Sequence, residues 1–169
     1  MNIILCGMMG CGKTTTGIRI AALTGMRWLD TDDIIVSRHG KITDIFEFYG
    51  EEKFRLFETE VVREVAAEDN CVISTGGGCV LRAENVTALK ETGKIVYLDA
   101  TIETLYARAG NTGGQRPLLR GGGYERMKKI LEARLPVYTG CADYTVATDG
   151  RTPDEVAREA ALLCGVPLL

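Results

Sequence analysis

Asn2-Ile3-Ile4-Leu5-Cys6-Gly7-Met8-Met9-Gly10-Cys11-Gly12-Lys13-Thr14-Thr15 opens with a short strand-forming run, turns through glycines and ends on residues able to start a helix. Within it, Gly7 to Thr14 fit the spacing G-x-x-x-x-G-K-[ST] in the strand-to-helix setting that the motif requires. Glycines let the backbone curl until its N–H groups face one point, and the helix that follows adds the positive end of its dipole. The expected ligand is a nucleoside triphosphate, with Lys13 at its β/γ-phosphates and the Thr14 hydroxyl on Mg²⁺. Gly10, Cys11, Gly12, Lys13, Thr14 and Thr15 are the residues this places on the nucleotide.

Outward from this stretch the chain repeats the same alternation. Short apolar runs at residues 2–6, 71–74, 95–98 and 144–147, with a weaker one at 27–29, read as strands. Their continuous rather than alternating hydrophobicity fits strands covered on both faces. Helical patterns fall at residues 13–23, 51–67, 84–91, 124–135 and 153–163, with Gly25 and Gly93 as stops. Thr152, Pro153, Asp154 and Glu155 mark a capped helix start. The fold expected is α/β, with a central five-stranded parallel sheet and helices on both faces. Residues 110–123 carry six glycines and read as a mobile loop.

The 169 residues suit one domain with one core, and 46% hydrophobic with 25% charged residues is ordinary for a soluble globular chain. A net charge of −3 gives no nucleic-acid footprint, and the opening apolar run is too short for a leader or membrane span. The expectation is a cytoplasmic protein with no nucleic-acid or membrane partner. None of the six cysteines lies in a C-x-x-C pair, so they read as small buried apolar residues. His39, beside Gly40, reads as a solvated loop residue, and Trp28 as packing.

A phosphate loop leaves ATPases, GTPases and kinases open, so the second substrate must be sought elsewhere. Asp30 and Asp32 follow the second strand, at the carboxyl edge where ligands of open α/β sheets collect. One could hold metal-bound water while the other accepts a hydrogen bond from an acceptor hydroxyl; the plainer reading is an acidic helix cap. Gly76, Gly77 and Gly78 after the strand at 71–74 allow close backbone approach to a ligand. Ser74 ends a strand that in nucleotide hydrolases usually ends in a metal-holding aspartate, and Asp99 mimics that pattern; spacing does not decide between Asp99 and Asp30. Arg55, Arg108, Arg116 and Arg134 imply anions, and Arg116-Pro117-Leu118-Leu119 within the glycine-rich loop fits a lid.

Taken in order, the phosphate loop, Asp30-x-Asp32, Gly50-Glu51-x-x-Phe54-Arg55-x-x-Glu58, Gly76-Gly77-Gly78, Arg116-Pro117-Leu118-Leu119 and Arg134-x-Pro136-x-Tyr138 resemble the shikimate kinase family over nearly the whole chain. The resemblance implies a three-layer P-loop kinase fold, one domain over residues 1–169, an acceptor-binding region near 30–60 and a lid near 110–123. It implies that Asp32, Arg55, Gly76, Gly77, Gly78 and Arg134 bind shikimate, with both arginines on its carboxylate and Asp32 at its hydroxyls. Arg116 becomes the lid arginine on the phosphates, Arg108 and Arg151 approach the adenine, and Phe46 and Phe54 wall the ring. Glu58 would hold the Arg55 guanidinium, and Thr14 with Asp30, not Asp99, would stand on the metal side. ATP, shikimate and Mg²⁺ are the implied ligands of a monomer in which Lys13, Asp32 and Arg116 are catalytic. Cys11, Val36 and the glycine-rich lid depart from the family's usual residues. Another small-metabolite kinase and a catalytically silent nucleotide-binding module stay open beside this reading.

Overall fold

The computed structural model describes residues 1–110 and 123–169. In chain order the elements are β1 (Asn2–Cys6), α1 (Lys13–Thr24), β2 (Arg27–Asp30), α2 (Thr31–His39), α3 (Ile42–Ala66) and β3 (Cys71–Ser74). A 3₁₀ turn at Cys79–Leu81 leads to α4 (Ala83–Thr92), β4 (Gly93–Asp99), α5 (Ile102–Gly110), α6 (Gly123–Cys141), β5 (Tyr144–Ala147) and α7 (Pro153–Leu163). The strands form one parallel sheet in the order β2-β3-β1-β4-β5. Every residue of β1 and β3 is buried, which is why these runs show no polar alternation.

Strand order and the right-handed rule for parallel crossovers together distribute the helices. The step from β1 to β2 runs one way along the sheet, while β2 to β3, β3 to β4 and β4 to β5 all run the other way. Alpha1 therefore covers one face and α3, α4 and α6 the opposite one. The packing agrees: α1 rests on α7, α3 on α2 and α4, and α5 on α6. Because the chain leaves β1 over one face and β3 over the other, a crevice opens between their carboxyl ends, the position where such sheets bind ligands. Both glycine-rich turns, residues 7–12 and 76–78, lie there.

Several expectations need correction. The helix expected at 51–67 is the second half of α3, which begins at Ile42 and changes direction at Gly50 (φ 82°, ψ 168°). A Cβ at Gly50 would meet nothing within 4 Å, so glycine serves the left-handed φ there rather than a shortage of room. Alpha2 and α5 had no counterpart in the sequence pattern. Alpha6 runs past the expected end at Leu135 to Cys141 despite Pro136, and Tyr138 and Cys141 of that extra turn are buried. Packing there outweighs the hydrogen bond that proline removes. Gly93, expected only as a helix stop, is the first residue of β4. His39 lies in the last turn of α2, not in a loop, and its ring stacks on Phe57 at 3.6 Å. The lid expected at 110–123 falls almost wholly outside the described residues, as does Arg116.

The start of α7 forms as read. Thr152 accepts a hydrogen bond from the Glu155 amide at 3.2 Å, and the Thr152 amide donates to Glu155 Oε2 at 2.8 Å. Thr152→Ala is expected to lower Tm by about 3 °C without changing turnover, by thermal melting and a rate assay. An unchanged Tm would show that packing on α1 alone fixes this helix.

Candidate active site

The phosphate loop is built where β1 ends. Gly12 stands at the N-cap of α1 with φ 96° and supplies no side-chain cap, so the first amides of α1 are left for an anion. Lys13 lies back along its own loop, its Nζ donating to Gly7 O at 2.6 Å and Met8 O at 3.1 Å. These carbonyls hold the ammonium over the loop's mouth, where phosphate oxygens would compete for it. The hydroxyl of Ser74 donates to Lys13 O at 2.8 Å and accepts from Trp28 Nε1 at 3.1 Å. The residue that replaces the usual aspartate thus anchors α1 to β3, and Trp28 packs as expected.

Asp30 caps the start of α2, as on the plainer reading, and also reaches the phosphate loop. Its Oδ1 accepts from the amides of Asp32 at 2.9 Å and Asp33 at 3.1 Å, capping α2. Its Oδ2 accepts from the Thr14 hydroxyl at 3.1 Å, so one carboxylate oxygen faces the phosphate loop. Loss of hydration raises the Asp30 pKa, against the pull of those amides and Thr14. Asp99 stays away from the cleft, accepting from the Tyr97 hydroxyl at 3.2 Å. Among the described residues no cluster of three or more His, Cys, Asp or Glu could hold a metal alone. Mg²⁺ takes one or two protein oxygens and completes its shell with phosphate and water, so it needs no such cluster. The Thr14 hydroxyl and Asp30 Oδ2, 3.1 Å apart, are oxygens that could serve in that way.

A cleft of about 560 Å³ extends from this point. Its walls include Gly10, Gly12, Lys13, Thr14, Thr15, Asp30, Asp32, Gly76, Gly77 and Arg108. On its far side, Arg55 from α3 donates to Glu58 Oε1 at 2.9 Å and to Glu51 Oε1 at 3.3 Å, and lies 5.1 Å from the Phe54 ring. Phe46 and Phe54 contact each other at 5.1 Å. Arg134, buried on α6, makes no ion pair among the described residues.

Two carboxylates converge between the cations. Asp32 Oδ1 and Glu58 Oε2 are buried without a hydrogen-bond partner among the described residues. A Cβ at Gly76 would fall 2.7 Å from the first and 2.9 Å from the second. Lost hydration, then the charges of Glu58 and Asp30, push the Asp32 carboxyl up to about 7. Burial likewise raises Glu58, against the guanidinium of Arg55. Buried acceptors rarely stay unpaired, so the two orphan oxygens point to a ligand that brings hydroxyl donors.

Beside the phosphate loop a smaller pocket of about 290 Å³ is lined by Cys11, Thr15, Arg108, Thr148, Arg151 and Val156, among others. Arg108 donates to Gly10 O at 3.2 Å, while Arg151 donates to Ala147 O at 2.9 Å and pairs with Glu159 at 2.6 Å. Sequence reading found both arginines but missed Thr148 and Val156, which carry no motif. It also missed Thr31, whose hydroxyl accepts from the Gly76 amide at 3.2 Å, and gave Tyr138 no role.

A phosphate cradle at a β1/β3 crevice, with a hydroxyl-and-carboxylate pair at its edge and a carboxylate-and-guanidinium chamber behind it, defines a P-loop phosphotransferase with a small polar, anionic acceptor. Residues 9–163 match the shikimate kinase family model. The chain is 46% identical to the shikimate kinase of Symbiobacterium thermophilum over 94% of this chain and 93% of that one, and 42% identical to that of Caldicellulosiruptor bescii over 94% and 92%. Its fold superposes with TM-score 0.92 on a shikimate kinase from Acinetobacter baumannii in complex with shikimate, at 36% identity over 96% of this chain and 91% of that one. The chain belongs to the shikimate kinase family.

Proposed function

We propose that this enzyme transfers the γ-phosphoryl group of ATP to a hydroxyl of shikimate, giving shikimate 3-phosphate and ADP, a step in making aromatic amino acids. The observation that carries the acceptor is the chamber itself, where two guanidiniums suited to one carboxylate lie beside Asp32 Oδ1 and Glu58 Oε2, two buried carboxylate oxygens without a donor among the described residues. A carboxylate-bearing polyol satisfies both halves. Gluconate, which also carries a carboxylate and hydroxyls, and a nucleoside monophosphate are the alternative acceptors that the test must separate from shikimate.

Lys13, the α1 amides and, on the sequence pattern, Arg116 hold the phosphates and spread the charge of the transferring group. Bound Mg²⁺, which Thr14 and Asp30 would hold, neutralises phosphate charge. Arg55 and Arg134 grip the acceptor's carboxylate, with Glu58 bracing Arg55. Asp32 accepts the hydrogen bond of the attacking hydroxyl and takes its proton as the new P–O bond forms and the bond to the ADP oxygen breaks. A carboxyl near 7 is a stronger base than ordinary aspartate, which suits that part. Arg108 and Arg151 flank the nucleotide base. Since one chain supplies every one of these groups, a monomer is sufficient, and six free buried cysteines suit a reducing cytoplasm. Among the described residues no helix is long and apolar enough to cross a membrane.

The test is ADP release with ATP and, separately, shikimate, gluconate or AMP. Shikimate alone should support fast turnover; preference for either other acceptor would reassign the chamber. Arg134→Lys is expected to raise KM for shikimate at least ~10-fold while KM for ATP stays within about twofold, because an ammonium cannot replace the two-pronged guanidinium. Equal losses for both substrates would remove Arg134 from the acceptor site.

A further inference from the structure

Tyr138 is fully buried in α6, one turn beyond Arg134, yet its hydroxyl is not spent on the core. It donates to Gly77 O at 2.5 Å, a short bond across 61 residues of sequence to the turn after β3. The Arg134 guanidinium lies beside the same phenol. Its ring stacks on Tyr97 at 5.2 Å, an equally buried tyrosine whose own hydroxyl goes to Asp99 instead.

What Gly77 O belongs to gives the bond its meaning. A Cβ at Gly77 would lie 3.3 Å from Arg134 Nη1, and one at Gly78 would lie 2.5 Å from Arg55 Nη2. The Gly77–Gly78 peptide is therefore a thin wedge between the two guanidiniums that face the acceptor's carboxylate. A peptide is planar and trans, so fixing its carbonyl oxygen also fixes the direction of the Gly78 N–H on the opposite side. Three successive glycines supply no stiffness of their own. The turn's other hydrogen bonds run from the Gly76 amide to Thr31 Oγ1 at 3.2 Å and from the Cys79 and Leu81 amides to Gly76 O and Gly78 O at 3.1 and 3.2 Å, and these leave the Gly77 carbonyl to Tyr138.

We propose that Tyr138 is a positioning residue for the acceptor: its hydroxyl pins the Gly77–Gly78 peptide and so sets the spacing of Arg55 and Arg134 for one carboxylate. This rests on the acceptor reading above and adds a residue that touches no substrate. The bond is partly buried and directed at a carbonyl, so its removal takes that oxygen's tyrosine partner away and lets the turn shift.

Tyr138→Phe keeps the stacked ring and deletes only the hydroxyl; Tyr97→Phe deletes the hydroxyl of the neighbouring buried tyrosine, which bonds to Asp99 rather than to the wedge, and serves as the control. Steady-state kinetics with both substrates, together with melting curves, is the experiment. Tyr138→Phe should raise KM for shikimate about tenfold, with KM for ATP within twofold, while Tyr97→Phe leaves both unchanged at a similar Tm. Should the Tyr138→Phe protein keep a wild-type KM for shikimate, or should Tyr97→Phe raise it equally, the inference is overturned. If wild type fails to phosphorylate shikimate at all, it is the acceptor reading that falls, so the two failures are distinguishable.

Discussion

Lys13→Ala is expected to lower kcat by at least ~10³-fold while Tm stays within a few degrees of wild type. The size of the loss follows from the position of Nζ, held over the phosphate loop by two backbone carbonyls at 2.6 and 3.1 Å. Nothing in the core depends on it, so folding is spared, and the charge it brings to the transferring phosphoryl is needed most in the transition state. Among the described residues, the contact with Cys11 Sγ at 3.8 Å is the only bond to another side chain that it gives up. Turnover within tenfold of wild type would show that the loop's amides carry the phosphate without the lysine.

Asp32→Asn is expected to lower kcat at least ~10²-fold and, unusually for an active-site change, to make the ligand-free protein more stable. The stability effect has a definite pH dependence. With its folded pKa raised to about 7 from an ordinary 3.8, Asp32 is protonated in both states below about pH 4 and contributes nothing there. From about pH 4 to 7 the unfolded chain has lost the proton while the folded chain retains it, so stability falls as pH rises, and the full penalty stands above 7. Asparagine removes that penalty. The variant should therefore gain little over wild type at pH 4 and on the order of a few kcal/mol at pH 8, read from denaturant midpoints at the two pH values. The same titration should make wild-type kcat/KM for shikimate fall below about pH 7. An advantage of equal size at both pH values would mean that the carboxyl is not strained by its burial.

How much of this was visible beforehand differs between the two halves of the site. The phosphate half is local: strand, glycine turn, lysine and hydroxyl are contiguous from residues 2 to 14, so one segment's backbone chemistry determines the cradle. The sheet was legible for a similar reason, since β1 and β3 are buried on both faces and show it as unbroken apolar runs. Alpha2 was not, because its apolar periodicity is weak and its first turn, Asp30 to Asp33, is dominated by acids that could belong to a site or to a cap. Asp30 caps α2 with one oxygen and faces the phosphate loop with the other, a division that only its two separate hydrogen-bonding oxygens reveal.

The proposed acceptor half draws on residues 32, 55, 58, 76–78, 134 and 138, and beyond the i,i+3 pair Arg55–Glu58 and the one-turn step from Arg134 to Tyr138 no spacing rule connects them. Their charges could be listed from the sequence, and the family resemblance joined them, but the orphan oxygens of Asp32 and Glu58 are properties of packing. So is the Tyr138 bond to Gly77, since a tyrosine in a helix carries no sign of where its hydroxyl ends. Pro136 concealed the last turn of that helix and with it the element that carries the bond.

The most direct test of the account is the product balance of wild-type enzyme incubated with ATP, Mg²⁺ and shikimate, followed by phosphorus NMR and mass spectrometry. One singly phosphorylated shikimate should form for each ADP, with ADP formation negligible when shikimate is left out. ADP formed at the same rate without shikimate, or no phosphorylated shikimate from an enzyme shown to be folded, would contradict it.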